Sequence, residues 1–381
     1  MSANKVASPG GLEGVVVADT RLSDVDGEAG RLVVAGHEVE ALAGGSTFED
    51  VCGLLWRAAG LAGESDREGI RRALAEGRTR AFERIGRLGD ALRQDDGMDA
   101  LRAAVSHLSG RDGFDTPARV TGAMGAFAAA WCRVREGREP VAPDASLAHA
   151  ADYLRMGGGS PAGDARAAAL DAYLVTVADH GMNASTFAAR VVTSTGSDLV
   201  SSVVAGLGAL KGPLHGGAPG PVLDMLDAIG RPDRAAAWID AELSAGRRIM
   251  GMGHRIYRVR DPRAAALEAA TLRLEKAGVS TGRLALARAV EAAAEGALAA
   301  KHPDRPLRAN VEFYTAVLLD TVGLDRTAFT PTFAVGRVAG WCAHVLEQRA
   351  NGRLIRPASR YVGDAPGCHP AFRQGPRQPD A

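Results

Sequence analysis

Apolar residues recur every three or four positions along most of the chain, a spacing typical of amphipathic helices. The first such run begins after Ser46 and Thr47, either of which can cap a helix. Helical spacing or helix-favouring composition then predicts helices over 66–95, 98–109, 115–136, 145–156, 163–180, 184–210, 219–230, 233–246, 262–278, 283–301, 310–322 and 330–350.

Residues 11–45 differ from the rest of the chain. They contain two β-branched runs, Val15–Val17 and Leu32–Val34, separated by Asp and Gly turn signals, and so predict a short hairpin-like segment. So many helices with so few strands indicate a mainly α fold of packed layers, and the sequence has no repeat at solenoid spacing. Glycine-rich breaks interrupt the helical pattern at 157–160, 211–220 and 251–255.

Composition limits the class of function. With 381 residues, of which 46% are hydrophobic and 24% charged, the chain is typical of folded globular proteins. Its 45 basic and 45 acidic residues give a formal net charge of zero, which argues against nucleic acid or an anionic membrane as the main partner, so we expect a small ligand. No apolar run reaches the length of a membrane span and the first residues lack an apolar leader, so we expect a cytoplasmic protein.

Cysteine and arginine usage adds little chemistry. Cys52, Cys132, Cys342 and Cys368 are scattered, without the close spacing of a disulfide or zinc framework, so we expect reduced thiols. Only four of the 45 basic residues are lysines, which indicates a genome rich in G and C. A single arginine in this sequence is therefore weak support for a binding site.

Three histidines lie at sharp breaks: His180 in VADHGMNAS, His215 in GPLHGGAPG and His254 in MGMGHRIYR. Loops at the ends of elements often carry function, although each histidine alone is more simply explained as structural. No H-E-x-x-H pattern or short ligand cluster points to a metal. Glycines on both sides of His215 let a ligand approach, and the helix expected after it would disfavour imidazolium, so we expect a neutral ring that donates to an oxyanion.

Glu312 begins the apolar part of RANVEFYTAVLLD, two positions after a good N-cap residue, Asn310. Taken alone, this acid is most simply explained by the helix dipole, which favours negative charge at a helix start. Three arginines would suit carboxylates because each offers a planar fork of donors, although each alone is more typical of a surface. They are Arg263 in DPR, Arg337 in AVGRVAGW and Arg356 in RLIRPAS.

Five stretches in this order resemble the citrate synthase family: ADHGMNASTFAARVVTST, GALKGPLHGGA, IMGMGHRIYRVRDPRA, NVEFYTAVLL and GRVAGWCAHVLEQRANGRLIRPASRYVG. The opening GLEGVVVADTRLSDVDG resembles the bacterial form, close to the 2-methylcitrate synthase branch. The resemblance runs from about Gly11 to Tyr361 and is weaker between residues 57 and 145. It implies a mainly helical homodimer of two-domain subunits. The large domain, with the dimer interface, would comprise 1–216 and 324–381, and a small domain, 217–323, would close over the cleft.

The resemblance also implies a reaction, the condensation of acetyl-CoA with oxaloacetate followed by hydrolysis of the citryl thioester to citrate and CoA. Glu312 would take the methyl proton, His215 would stabilise the enolate oxygen, and His254 would meet the ketone oxygen. No metal or redox cofactor is implied. The residues implied to bind oxaloacetate are His180, Asn183, Arg263, Arg337 and, from the partner subunit, Arg356; Arg258 is implied to bind a CoA phosphate.

Two departures from the family pattern keep three hypotheses open. The usual N-V-D reads Asn310-Val311-Glu312. Glutamate has one more methylene than aspartate, which moves the carboxylate by roughly 1.5 Å. A catalytic group that is misplaced by about 1 Å can cost about a hundredfold in rate. The usual A-N-E-A reads Ala218-Pro219-Gly220-Pro221, which removes a polar side chain. The chain is therefore expected to be a citrate synthase, a 2-methylcitrate synthase that uses propionyl-CoA, or a catalytically weak relative that binds CoA or oxaloacetate.

Overall fold

A computed structural model describes residues 11–12, 14–62, 66–216, 219–254, 256–303 and 307–363. Within them the fold is mostly helical with a short antiparallel sheet of three strands, β1 (Ser23–Asp26), β2 (Arg31–Val34) and β3 (His37–Glu38). The helices are α1 (Val39–Gly45), α2 (Phe48–Ala58), α3 (Arg67–Phe82), α4 (Gly97–Ser106), α5 (Pro117–Val134), α6 (His149–Gly158), α7 (Asp164–Val177), α8 (Ala184–Ser194), α9 (Leu199–Leu210), α10 (Pro219–Ile229), α11 (Ala235–Ser244), α12 (Pro262–Lys276), α13 (Arg283–Lys301), α14 (Val311–Val322) and α15 (Phe329–Asn351).

Helix α15 runs through the centre of the core and packs against α2, α5, α7, α8 and α9. Its glycines let the backbone of α7 come close. A Cβ on Gly336 would lie 2.6 Å from a methyl group of Val177, and one on Gly340 would lie 2.2 Å from the carbonyl oxygen of Ala178. This close packing brings the end of α7, and His180 just beyond it, against α15.

The sequence predicted the mainly α fold and the hairpin-like start correctly, but it misplaced several boundaries. The strands lie at Ser23–Asp26 and Arg31–Val34, so the prediction of a strand at Val15–Val17 is wrong. Short α1 was not predicted. Thr47, one of the two residues expected to cap the first amphipathic helix, caps α2 and forms a capping box with Asp50.

Two long predicted helices are broken. The segment 66–95 holds α3 to Phe82 and then only short 3₁₀ turns. The segment 184–210 is divided into α8 and α9 at Gly196, whose φ of +84° is outside the helical range. Asp198 then caps α9 by accepting from the N–H of Ser201. Apolar spacing continues through both breaks, so the hydrophobic pattern alone could not place them.

The predicted small domain, 217–323, contains α10 to α14, and these helices pack on one another. Helix α12 also packs against α1 and α7, which lie outside that range. The division into two domains stays a prediction. Cys52, Cys132 and Cys342 are free thiols, and Cys368 lies outside the described residues. None of the helices in the described part of the chain combines the length and the apolar character that a membrane crossing requires.

Candidate active site

A cleft of about 970 Å³ opens among the turn after α7, the loop before α12 and the starts of α8 and α14. Residues predicted from five separate stretches of the sequence meet there. Seven of them line the cleft: His180, Asn183, His215, His254, Arg263, Glu312 and Arg337.

His180 and Asn183 lie on the turn between α7 and α8. The strand β1 braces this turn, because the hydroxyl of Ser23 accepts from the N–H of Gly181 at 2.9 Å and donates to the buried carboxylate of Asp179 at 2.5 Å. Asn183 caps α8, its Oδ1 accepting from the N–H groups of two following residues at 3.1 Å. Asn183 lines the cleft, but its side-chain oxygen is occupied by capping.

His254 is oriented by its own loop. Its Nδ1 accepts from the backbone N–H groups of Ile256 and Tyr257 at 3.0 and 3.1 Å, so a neutral ring carries its hydrogen on Nε2. Burial lowers the pKa of His254 to about 4, with the charge of Arg263 as the next cause. Because guanidinium only donates, the 3.4 Å approach of Arg263 Nη2 to Nε2 is a contact between two donors. His254 is therefore a neutral donor whose Nε2–H has no acceptor among the described residues.

Arg263 is held by a residue that sequence reasoning did not single out. The carboxylate of Asp261 binds it at two points, Oδ1 to Nε at 3.0 Å and Oδ2 to Nη2 at 2.8 Å. Asp261 also caps α12 and accepts from the N–H of Val311 at 3.2 Å, at the start of α14. The DPR motif carries a signal for this role, since an Asp before a Pro at the first helical position is typical of a capped helix.

Arg337 lies on α15 and forms no ion pair with a carboxylate among the described residues. Its Nε donates to the carbonyl oxygen of Val177 at 2.6 Å, and its guanidinium lies 4.8 Å from the ring centroid of Phe333. Nη2 is buried and finds no hydrogen-bond partner in the described part of the chain. Burial lowers the pKa of Arg337 to about 10. A buried cation with a free donor at a cleft is suited to an anionic ligand, because a carboxylate would satisfy both the charge and the N–H.

Glu312 lies in the first turn of α14, where Asn310 accepts from its N–H at 3.0 Å, so the expected cap is confirmed. The side chain enters the cleft, and Oε2 is buried with no hydrogen-bond partner among the described residues. Burial raises the pKa of Glu312 to about 7, although the charge of Arg263 opposes this. A carboxylate with such a pKa is well matched to taking a proton near neutral pH.

His215 contacts a serine on α8. Its Nε2 lies 2.8 Å from the hydroxyl of Ser185, which also accepts from the indole N–H of Trp341 at 3.0 Å. Burial lowers the pKa of His215 to about 4, followed by the charge of Arg337. The neutral ring expected from the sequence is supported, with burial as its main cause. Ser185 was missed because a serine near a helix start is most often read as local capping.

Two predicted residues do not line the cleft. Arg258 is half exposed on the loop after His254, where its N–H donates to the carbonyl oxygen of Gly27 at 2.9 Å. Arg356 is exposed and lines a second cavity of about 740 Å³, which shares Leu12 and Val15 with the cleft. The contribution of Arg356 to a partner subunit stays a prediction.

Taken together, the cleft holds two arginines, three histidines and a carboxylate on a helical scaffold, a set of side chains suited to an anionic ligand and to proton transfer. The family model for the citrate synthase C-terminal domain matches residues 11–358. The chain belongs to the citrate synthase family and is an enzyme of that family.

Individual relatives support the same assignment. The chain is 38% identical to citrate synthase from Haloferax volcanii, over 93% of this chain and 95% of that one. It is also 38% identical to 2-methylcitrate synthase from Mycobacterium tuberculosis, over 93% and 90% of the two chains. Among solved structures, citrate synthase from Thermoplasma acidophilum in complex with carboxymethyl coenzyme A and oxaloacetate matches with a TM-score of 0.80 and 29% identity, covering 93% of this chain and 96% of that one.

Proposed function

We propose that this enzyme condenses oxaloacetate with acetyl-CoA and water to give citrate and free CoA. One observation carries the proposal: Glu312, whose Oε2 has no hydrogen-bond partner among the described residues, shares a cleft with two neutral histidines and two arginines. Removing a proton beside a thioester needs a positioned base and a donor for the enolate oxygen, and this cleft contains both.

Oxaloacetate would bind on the arginine side of the cleft. Arg337 has a buried N–H without a partner, and Arg263 is held in a fixed orientation by Asp261. Two guanidinium groups suit the two carboxylates of the substrate, and His180 would donate a further hydrogen bond. In the proposed homodimer, Arg356 of each subunit would complete the cleft of the other subunit, and Arg258 would bind a CoA phosphate.

Enolate formation would use Glu312 and His215. Glu312 takes a proton from the methyl group of acetyl-CoA, and His215 donates an N–H to the oxygen that gains charge. Ser185 fixes the position of the ring: its hydroxyl lies 2.8 Å from Nε2 of His215, donates to Oδ1 of Asn183 at 2.8 Å and accepts from the indole N–H of Trp341 at 3.0 Å.

Condensation would use His254. The enolate carbon forms a bond to the ketone carbon of oxaloacetate, and the ketone oxygen takes the hydrogen that His254 carries on Nε2. The oxygen of a water molecule then adds to the thioester carbonyl, the carbon–sulfur bond breaks, and the sulfur takes a proton from that water, so that CoA leaves as a thiol. The proton that Glu312 took replaces the one that His254 gave. Closure of the predicted small domain would exclude bulk water until this last step.

Propionyl-CoA is the second candidate substrate, with 2-methylcitrate as the product. The chain is as similar to a 2-methylcitrate synthase as to a citrate synthase, and the pair of sequence departures at Glu312 and 218–221, near the expected acyl group, favours this candidate. A catalytically weak relative that binds the same ligands is the third.

A single assay separates the three. The purified protein is incubated with oxaloacetate and either acetyl-CoA or propionyl-CoA, and released thiol and product mass are measured. Faster turnover with acetyl-CoA supports the proposal, and faster turnover with propionyl-CoA supports the second candidate. No thiol release with either substrate, with binding seen by calorimetry, would leave the weak relative.

A further inference from the structure

Tyr257 contacts three residues of the cleft while being buried behind it, with 2% of its surface exposed. Its hydroxyl lies 3.1 Å from Nε2 of His180, and its backbone N–H donates to Nδ1 of His254 at 3.1 Å. Its ring centroid is 4.8 Å from that of His254 and 6.0 Å from the guanidinium carbon of Arg263. No step of the proposed mechanism uses this residue, yet it joins the two turns that carry His180 and His254.

The direction of the hydrogen bond between Tyr257 and His180 follows from the surroundings. The pKa of His180 is held well below its usual range by burial and by the charge of Arg263, so the ring is neutral and carries one N–H. Nε2 of His180 is the one hydrogen-bond partner of the Tyr257 hydroxyl within the described ranges. A buried hydroxyl needs an acceptor for its hydrogen. The nearby positive charge of Arg263 favours an orientation in which the hydroxyl oxygen faces it and the hydrogen points away. The hydroxyl therefore donates to Nε2.

This direction leaves the hydrogen of His180 on Nδ1, the nitrogen that is not occupied by Tyr257. His180 lines the cleft, and the oxygens of a carboxylate or ketone can only accept hydrogen bonds. The opposite tautomer would place a lone pair where a substrate oxygen has to lie. We propose that Tyr257 is a positioning residue that keeps the hydrogen of His180 on Nδ1, so that His180 presents an N–H donor to a 2-oxo dicarboxylate. The part played in substrate binding rests on the proposed function; the tautomer itself does not.

Both turns are held by other contacts, so the hydroxyl can be removed without moving them. The His180 turn is braced by Ser23 on β1. The Tyr257 loop packs on the turn between β1 and β2, where a Cβ on Gly27 would lie 2.4 Å from the carbonyl oxygen of Ile256. Nε of Arg260, at the end of the same loop, binds Glu291 on α13 at 2.7 Å. Replacing Tyr257 by Phe is therefore expected to change the tautomer of His180 more than its position.

The test uses the full-length protein labelled with ¹⁵N-histidine, with the His180 signals assigned through His180→Asn. In the wild type we expect Nδ1 to be protonated and Nε2 to be unprotonated, and in Tyr257→Phe we expect a mixture of tautomers. Tyr153→Phe is the matched control, because Tyr153 is equally buried and its hydroxyl bonds Thr332 at 2.8 Å, outside the cleft. The control is expected to keep the wild-type His180 signals. A wild-type hydrogen on Nε2, or unchanged His180 signals in Tyr257→Phe, would overturn the proposal.

A titration with oxaloacetate in the absence of acyl-CoA tests the consequence for binding. We expect the Kd to rise on the order of tenfold in Tyr257→Phe, because the hydrogen bond from His180 to the charged substrate forms in only part of the tautomer mixture. The Kd is expected to stay unchanged in Tyr153→Phe. The KM for acyl-CoA is expected to stay the same in both variants. An unchanged Kd in Tyr257→Phe would contradict the binding role. If the wild type does not bind oxaloacetate, the proposed function fails, while the histidine signals still decide whether Tyr257 sets the tautomer.

Discussion

Asp261 and Arg263 form a two-point ion pair that is almost completely buried, with side-chain exposures of 0% and 4%. The pair lies two residues apart at the start of α12, so one carboxylate both caps the helix and orients the guanidinium. The same carboxylate accepts from the first N–H of α14, on which Glu312 lies. Asp261 thus joins the proposed substrate-binding arginine to the helix that carries the proposed base.

Asp261→Asn is expected to destabilise the protein and weaken oxaloacetate binding. Removing the carboxylate charge leaves the buried guanidinium of Arg263 uncompensated, which typically costs about 3–5 kcal/mol in the free energy of unfolding. Urea denaturation measures this loss. Asp233→Asn is the matched control, because Asp233 also binds an arginine, Arg231, at two points but on the surface. No measurable change is expected for the control. Equal stability of the two variants would contradict the importance given to the buried pair.

Replacements of Glu312 test whether the site is built for the longer acid. Glu312→Gln keeps the shape but cannot take a proton, so kcat is expected to fall by about 10²–10⁴-fold with little change in oxaloacetate binding. Glu312→Asp withdraws the carboxylate by roughly 1.5 Å and is expected to lower kcat by about a hundredfold. Steady-state thiol release measures both. A higher kcat in Glu312→Asp would instead favour the catalytically weak relative.

The pH dependence of kcat/KM for acyl-CoA is expected to follow Glu312. Its pKa is raised to about 7, and only the ionised form takes a proton, so the rate should rise by about tenfold per unit below pH 7 and level off above it. His215 and His254, whose pKa values are about 4, stay neutral from pH 6 to 9 and add no falling limb. A rate that falls between pH 6 and 8 would contradict neutral histidine donors.

Ser185→Ala is expected to lower kcat and to leave the KM for oxaloacetate unchanged. The serine hydroxyl lies 2.8 Å from Nε2 of His215, and without it the ring loses the contact that fixes its orientation. The loss of one oriented donor in such sites typically costs about 10²–10³-fold in kcat. Ser202→Ala serves as the control, since Ser202 is fully buried and bonds Thr193 at 2.9 Å outside the cleft. Equal losses in both variants would indicate a packing effect only.

How much of this site was readable from the sequence differs from residue to residue. Asn310 and Glu312 were placed correctly because capping is local chemistry that a few neighbouring residues determine. The partners that tune the site, Asp261 at Arg263 and Tyr257 at His180, depend on the path of the chain between α7 and α12. No periodic pattern encodes that path, so the family resemblance could supply the proposed catalytic residues but not the residues that orient them.

The same distinction applies to the fold. Helix existence followed from apolar spacing, but the break between α8 and α9 depends on Gly196, a single residue with positive φ. The strands were misplaced for a related reason. Val15–Val17 has strand-favouring composition, yet it lies beside the cleft and pairs with no strand in the described residues. Composition measures what a segment favours, and pairing requires a neighbour that a local pattern does not reveal.

Gly340→Ala is expected to damage the site through the backbone. A Cβ at this position would lie 2.2 Å from the carbonyl oxygen of Ala178 and 2.8 Å from Oδ1 of Asp179, so the turn that carries His180 must move. Overpacking of this kind typically costs about 1–3 kcal/mol in the free energy of unfolding, and we expect weaker oxaloacetate binding with it.

Gly296→Ala is the matched control, because Gly296 lies within α13 and nothing is within 4 Å of its added Cβ. The control should stabilise the protein by about 0.5–1 kcal/mol, since alanine favours a helix interior more than glycine does. Urea denaturation and calorimetry with oxaloacetate measure both effects, and a Gly340→Ala variant that binds like the wild type would contradict the need for this close contact.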